Sequence, residues 1–99
     1  MRLKPDSRYN GIKAEILLGA MVARSVYENN GFEFIITEGT GGSHMEGSKH
    51  YDGLAIDIRT RHVAEHLRKQ LADSIRRQLT DDYDVVLHST HIHLEFDPK

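Results

Sequence analysis

The chain has 99 residues, a formal net charge of −2, seven histidines and no cysteine. That length suits one domain, residues 1–99, with a thin core, because so short a chain buries only about two thirds of its unfolded surface. The charge balance shows no basic excess that would argue for nucleic acid, the missing cysteines exclude disulfides and thiolate metal sites, and no apolar run reaches the roughly eighteen residues of a membrane span.

The first ten residues, MRLKPDSRYN, lack the apolar core of a secretory signal, so synthesis in the cytoplasm is expected. From Ile12, apolar residues recur at Ile16, Ala20, Ala23 and Tyr27, with Leu17 and Met21 beside them, which is helical spacing. Asn29-Asn30-Gly31 supplies a stop, since Asn and Gly tolerate the left-handed cap. Phe32 to Glu38, FEFIITE, is short, β-branched and aromatic, and reads as a strand. Gly39 to His50 holds four glycines and two serines and reads as a loop. LAIDIR, Leu54 to Arg59, is a second strand. Thr60 is placed to cap the next helix, where Val63, Leu67, Leu71 and Ile75 repeat every four residues. The basic residues from Arg59 to Arg77 read as the solvated face of that helix, with His62 and His66 exposed on it. YDVVLH and HIHLEF are two strands joined by a tight turn at Ser89-Thr90. The order α-β-loop-β-α-β-β predicts an α+β fold: a mainly antiparallel sheet with helices on one face.

Side chains alternate faces along a strand, and here that alternation sorts chemistry from core. His91, His93 and Glu95 share one face of the last strand, while Ile92, Leu94 and Phe96 take the other. In LAIDIR, Ala55 and Asp57 share a face opposite Leu54, Ile56 and Ile58. The apolar sides cover the helices. Asp57, His91 and His93 then look out of the other sheet face, with the Gly-rich loop and His50 over its edge. Two imidazoles and a carboxylate suit zinc, which takes N and O ligands in a tetrahedron. A bound zinc lowers the pKa of water and polarises a carbonyl, and a histidine supplies a base near neutral pH. On this pattern alone, metal storage, a structural zinc and hydrolysis all remain open.

SKHYDGLAID fits S-x-H-x-x-G-x-A-x-D through Ser48, His50, Gly53, Ala55 and Asp57, and HIH supplies a paired H-x-H downstream. Together, in this order and with a helix between, they resemble the D-Ala-D-Ala metallopeptidase family, whose fold is shared by lysostaphin-like endopeptidases and hedgehog-type domains. HYDGLAIDIRT and the terminal HIHLEFDP are similar to small cell-wall peptidases carried by phages and prophages, endolysins among them. The resemblance covers Phe32 to Lys99, and the first helix also fits it.

The resemblance implies one zinc per chain, held by His50, Asp57 and His93. It implies His91 as the base or electrostatic support beside the metal, with His88 where relatives place a further catalytic His or Glu. Ser48 matches the motif serine near bound substrate, and His44 is expected to contact substrate at the mouth of the site. Small residues at Gly53 and Ala55 also keep the start of the strand narrow, so that His50 and Asp57 can converge. The implied reaction is hydrolysis of a peptide bond in bacterial peptidoglycan stem peptides, with zinc-activated water as nucleophile. The implied place of action is the bacterial cell wall, and a monomer is expected. Members of the family that cut at a free C-terminal D-Ala often use an arginine ahead of the metal motif. Between Phe32 and His50 the only such cation here is Lys49, so endopeptidase and carboxypeptidase both stay open. The alternative from another class is a catalytically silent zinc-binding module with a binding or virion-associated role.

Overall fold

The structure is a computed structural model, which describes residues 2–3, 14–39 and 54–98. In chain order the elements are β1 (Arg2–Leu3), α1 (Ala14–Asn29), β2 (Ile35–Glu38), β3 (Ala55–Arg59), α2 (Glu65–Gln78), β4 (Tyr83–Leu87) and β5 (His91–Phe96). They form a five-stranded sheet in the order β1-β2-β3-β5-β4. The four strands β2 to β5 pair antiparallel, and only the short β1 pairs parallel, on β2. The expected α+β architecture with a mainly antiparallel sheet is present. The two-residue β1 was not foreseen, because so short a strand carries no alternation to read.

α1 buries Ile16, Ala20, Ala23 and Tyr27, with Gly19 and Val26 alongside. The residues expected beside that stripe, Leu17 and Met21, are exposed, as is Leu18. A Cβ at Gly19 would lie 3.3 Å from Leu94 Cδ2, so this glycine lets the helix sit close to β5. The helix ends as the Asn29-Asn30-Gly31 stretch predicts. Gly31 has φ +82°. The Phe32 amide donates to the Tyr27 carbonyl and the Gly31 amide to that of Glu28, at 2.9 and 3.1 Å. These two bonds are the Schellman closure, which satisfies carbonyls that the helix leaves open.

The starts of β2 and α2 differ from expectation. β2 begins at Ile35 rather than Phe32; Phe34 is instead fully buried and meets Tyr27 edge to face at 5.6 Å. Thr60 does not cap α2. The cap residue is Ala64, which has no side chain that could bond, and Thr60 is buried four residues earlier, its hydroxyl unpaired among the described residues. A turn closed by the Val63 amide on the Thr60 carbonyl separates strand from helix, so Val63 joins the core from outside the helix. His62 lies in that turn rather than on the helix, and its ring pairs with the Glu33 carbonyl at 2.7 Å.

One core joins α1 and α2 to a single face of the sheet: Ile36, Ile56, Ile58, Val85, Ile92 and Leu94 pack with Ile16, Ala20, Tyr27, Leu71 and Ile75. The basic stretch is only partly a solvated face. Lys69 pairs with Asp73 in solvent, but Arg68 donates to the carbonyls of Val63 and Ser89, and Arg76 to that of Val85. These guanidinium groups tie α2 to the β4–β5 hairpin. Among the described residues, no helix is long and apolar enough to cross a membrane.

Candidate metal centre and its imidazole row

The helix-free face of β3 and β5 carries the polar half of the alternation. Across this central pair, Asp57 stands opposite His93, Arg59 opposite His91 and Ala55 opposite Glu95. The core-facing residues between them, Ile56, Ile58, Ile92 and Leu94, are buried. Apolar packing on one face therefore sets the positions of the imidazoles and carboxylates on the other.

His93 is held between two carboxylates. Its Nδ1 is 3.1 Å from Asp57 Oδ1, and its Nε2 is 3.0 Å from Glu95 Oε1. The hydrogen bond to Asp57 raises the His93 pKa above the ordinary imidazole value; burial opposes this and Glu95 reinforces it. His91 lies further along, its Nε2 3.8 Å from the same Asp57 oxygen. That is an ion-pair distance but too long for a hydrogen bond. Its Nδ1 pairs with the Thr90 hydroxyl at 3.1 Å, which orients the ring.

The hairpin brings in His88. Its amide donates to the His91 carbonyl at 2.8 Å, closing a two-residue turn at Ser89-Thr90. The two rings stack with centroids 4.7 Å apart, and His88 meets His93 edge to face at 6.5 Å. Asp57, His88, His91 and His93 are thus gathered on one face. His44, Ser48 and His50 lie outside the described residues.

Two features escaped the sequence reading. Glu95 was placed on the face by alternation but given no partner, although it stands two residues from His93 on the same strand. Arg59 ends the expected second strand, as in β3, but was counted only among solvated basic residues; it stands two residues beyond Asp57 and shares its side of the sheet. Asp84, Glu95 and Asp97 form a second group, with ligand atoms within 4.8 Å of one another. Such a group could bind a metal, but surface carboxylates commonly gather without an ion.

No family model matches the chain, and no curated protein matches it.

Proposed function

We propose that the protein is a zinc peptidase of bacterial cell-wall peptides, with the metal held by His50, Asp57 and His93. The observation that carries this reading is the Asp57–His93–Glu95 chain beside the stacked His88 and His91. Two ligands of a tetrahedral zinc, each about 2.0–2.1 Å from it, lie about 3.3 Å apart. The 3.1 Å between Asp57 Oδ1 and His93 Nδ1 is close to that separation, so the pair fits one ion with little movement. The other nitrogen of His93 then donates to Glu95, the arrangement that commonly orients a ligating imidazole. The fit to S-x-H-x-x-G-x-A-x-D supplies His50 as third ligand and supports the hedgehog- and DD-peptidase-like fold.

When bound, zinc supplies Lewis acidity that draws charge from a carbonyl oxygen and lowers the pKa of water. The protein's own groups move the proton. His91 takes it from the attacking water and returns it to the leaving amine, a step that needs a pKa near the working pH. The Thr90 hydroxyl holds its ring for this, and His88, stacked on it, stands ready as the partner base.

Two measurements test the reading. Metal analysis of purified protein is expected to give one zinc per chain, lost in His93→Ala and retained in His91→Ala. Digestion of peptidoglycan, followed by mass spectrometry of the new termini, is expected to show cut stem peptides. His91→Ala is expected to slow cutting by roughly 10²–10⁴. A protein that holds zinc but releases no new termini is the silent binding module instead.

A further inference from the structure

Beyond the imidazole row, the sheet face opens into a pocket of about 250 Å³ lined by Thr37, Arg59, Arg61, Thr90 and His91. Among the described residues, its polar lining is two guanidinium groups, two hydroxyls and an imidazole. None of the carboxylates of Glu38, Asp57 and Glu95 lines it. Among the described residues, the Nε of Arg59 is buried without a hydrogen-bond partner. Nor does the rest of that side chain form an ion pair with the described residues. A buried donor with no acceptor is costly, and most such groups in proteins are satisfied. An anion that draws the guanidinium into the pocket would satisfy it.

The position of the pocket limits what the anion can be. Arg59 is the cross-strand partner of His91 and lies two residues past Asp57 on the same side of β3. Two strand residues span about 7 Å. An extended peptide advances about 3.3–3.6 Å per residue. A group seated on Arg59 is therefore one to two residues from a carbonyl held at Asp57 and His91. Guanidinium matches a carboxylate in planar two-point geometry.

We infer that this pocket seats a free carboxylate of the substrate, one to two residues from the bond that is cut. The distance to that bond rests on the peptidase reading; the carboxylate seat itself does not. The pocket selects short acidic peptide ends over the interior of a chain. It gives a chain with no arginine between Phe32 and His50 another place to read a terminal carboxylate.

The test uses the full chain, isotopically labelled, titrated with N-acetyl-D-alanine and separately with N-acetyl-D-alaninamide at low ionic strength. The acid is expected to bind about tenfold or more tighter than the amide and to shift the amide resonances of Arg59, Thr90 and His91. Arg59→Gln and Arg61→Gln are each expected to reduce that preference at least severalfold, and Arg59→Lys to keep part of it. Arg61 is exposed, so its replacement carries the test even if Arg59→Gln fails to fold. Equal binding of acid and amide, or a preference that survives in Arg61→Gln and in any folded Arg59→Gln, overturns the inference. A protein without zinc or peptidase activity that still prefers the acid overturns the proposed function and leaves the pocket standing. Equal cutting of acid- and amide-ended peptides does the reverse.

Discussion

His93 is the residue on which the site turns, because a carboxylate holds each of its ring nitrogens. In the metal-free protein its imidazolium is stabilised first by Asp57 and then by Glu95. A raised folded-state value means that the pair stabilises the fold fully below the unfolded imidazole pKa, about 6.5. That contribution is lost as pH rises through the folded value. NMR titration of the metal-free protein should therefore place the His93 midpoint above that of an ordinary histidine, and Asp57→Asn should lower it. A midpoint at or below the ordinary value in the unsubstituted protein contradicts the geometry. Glu95 provides a separate check on the same ring. If it orients His93 toward a metal, Glu95→Gln should weaken zinc binding by about 10–100-fold while leaving one site per chain. Unchanged affinity in a competition titration would remove Glu95 from the centre.

At the level of elements, the site depends on how strands are connected as much as on what they carry. The Ser89-Thr90 turn sets His88 against His91, and Arg68 holds the Ser89 carbonyl from α2. The Thr60 amide donates to the Thr90 carbonyl, tying the end of β3 to the same turn. Gly31 adopts a positive φ and meets nothing within 4 Å of an added Cβ, so its role is purely conformational. Gly31→Ala is therefore expected to destabilise the protein by about 1–2 kcal/mol, the cost of a left-handed alanine. Urea denaturation would measure it, and a loss near zero would mean that the backbone can relax there. The Tyr27 hydroxyl, on the same helix, donates to the Arg59 carbonyl at 2.9 Å. Burial pushes this phenol well above its ordinary pKa, so it remains a donor through neutral pH. The first helix thus braces the strand whose guanidinium lines the pocket.

For the molecule as a whole, the two faces of one sheet divide the work. One face is a core of aliphatic side chains closed by both helices, and the other carries the imidazoles and carboxylates. Leu94 sits between His93 and Glu95 in β5 and is fully buried against the helices. Leu94→Ala should cost about 2–5 kcal/mol, as deletion of a buried leucine usually does. Thermal or urea unfolding would show it. Because that core fixes the strand's position, the same change should also loosen the His93 contacts, visible as shifted imidazole resonances. A full loss of stability with an unperturbed His93 would mean that the polar face holds its own geometry.

The sequence by itself determined the strand faces, the helical stripes and the glycine stop, because each follows from a period or cap written in neighbouring residues. Asp57, His91 and His93 could be assigned to one face for that reason, and Ser89-Thr90 could be read as the turn that sets His88 beside His91. The tertiary structure alone decided the rest. The register that sets Asp57 opposite His93 and Arg59 opposite His91 comes from pairing strands more than thirty residues apart. No local pattern encodes it; packing of Ile56, Ile58, Ile92 and Leu94 against the helices selects it. The same holds for Thr60. Its type and position suggested a cap, but burial beside the core took the hydroxyl away from the helix start. Arg59 followed the same logic in reverse. Its place at the end of the strand was legible, but beside the basic residues after it nothing marked it as more than a solvated charge. Only the pairing of β3 with β5 sets it across from His91, where it lines a pocket.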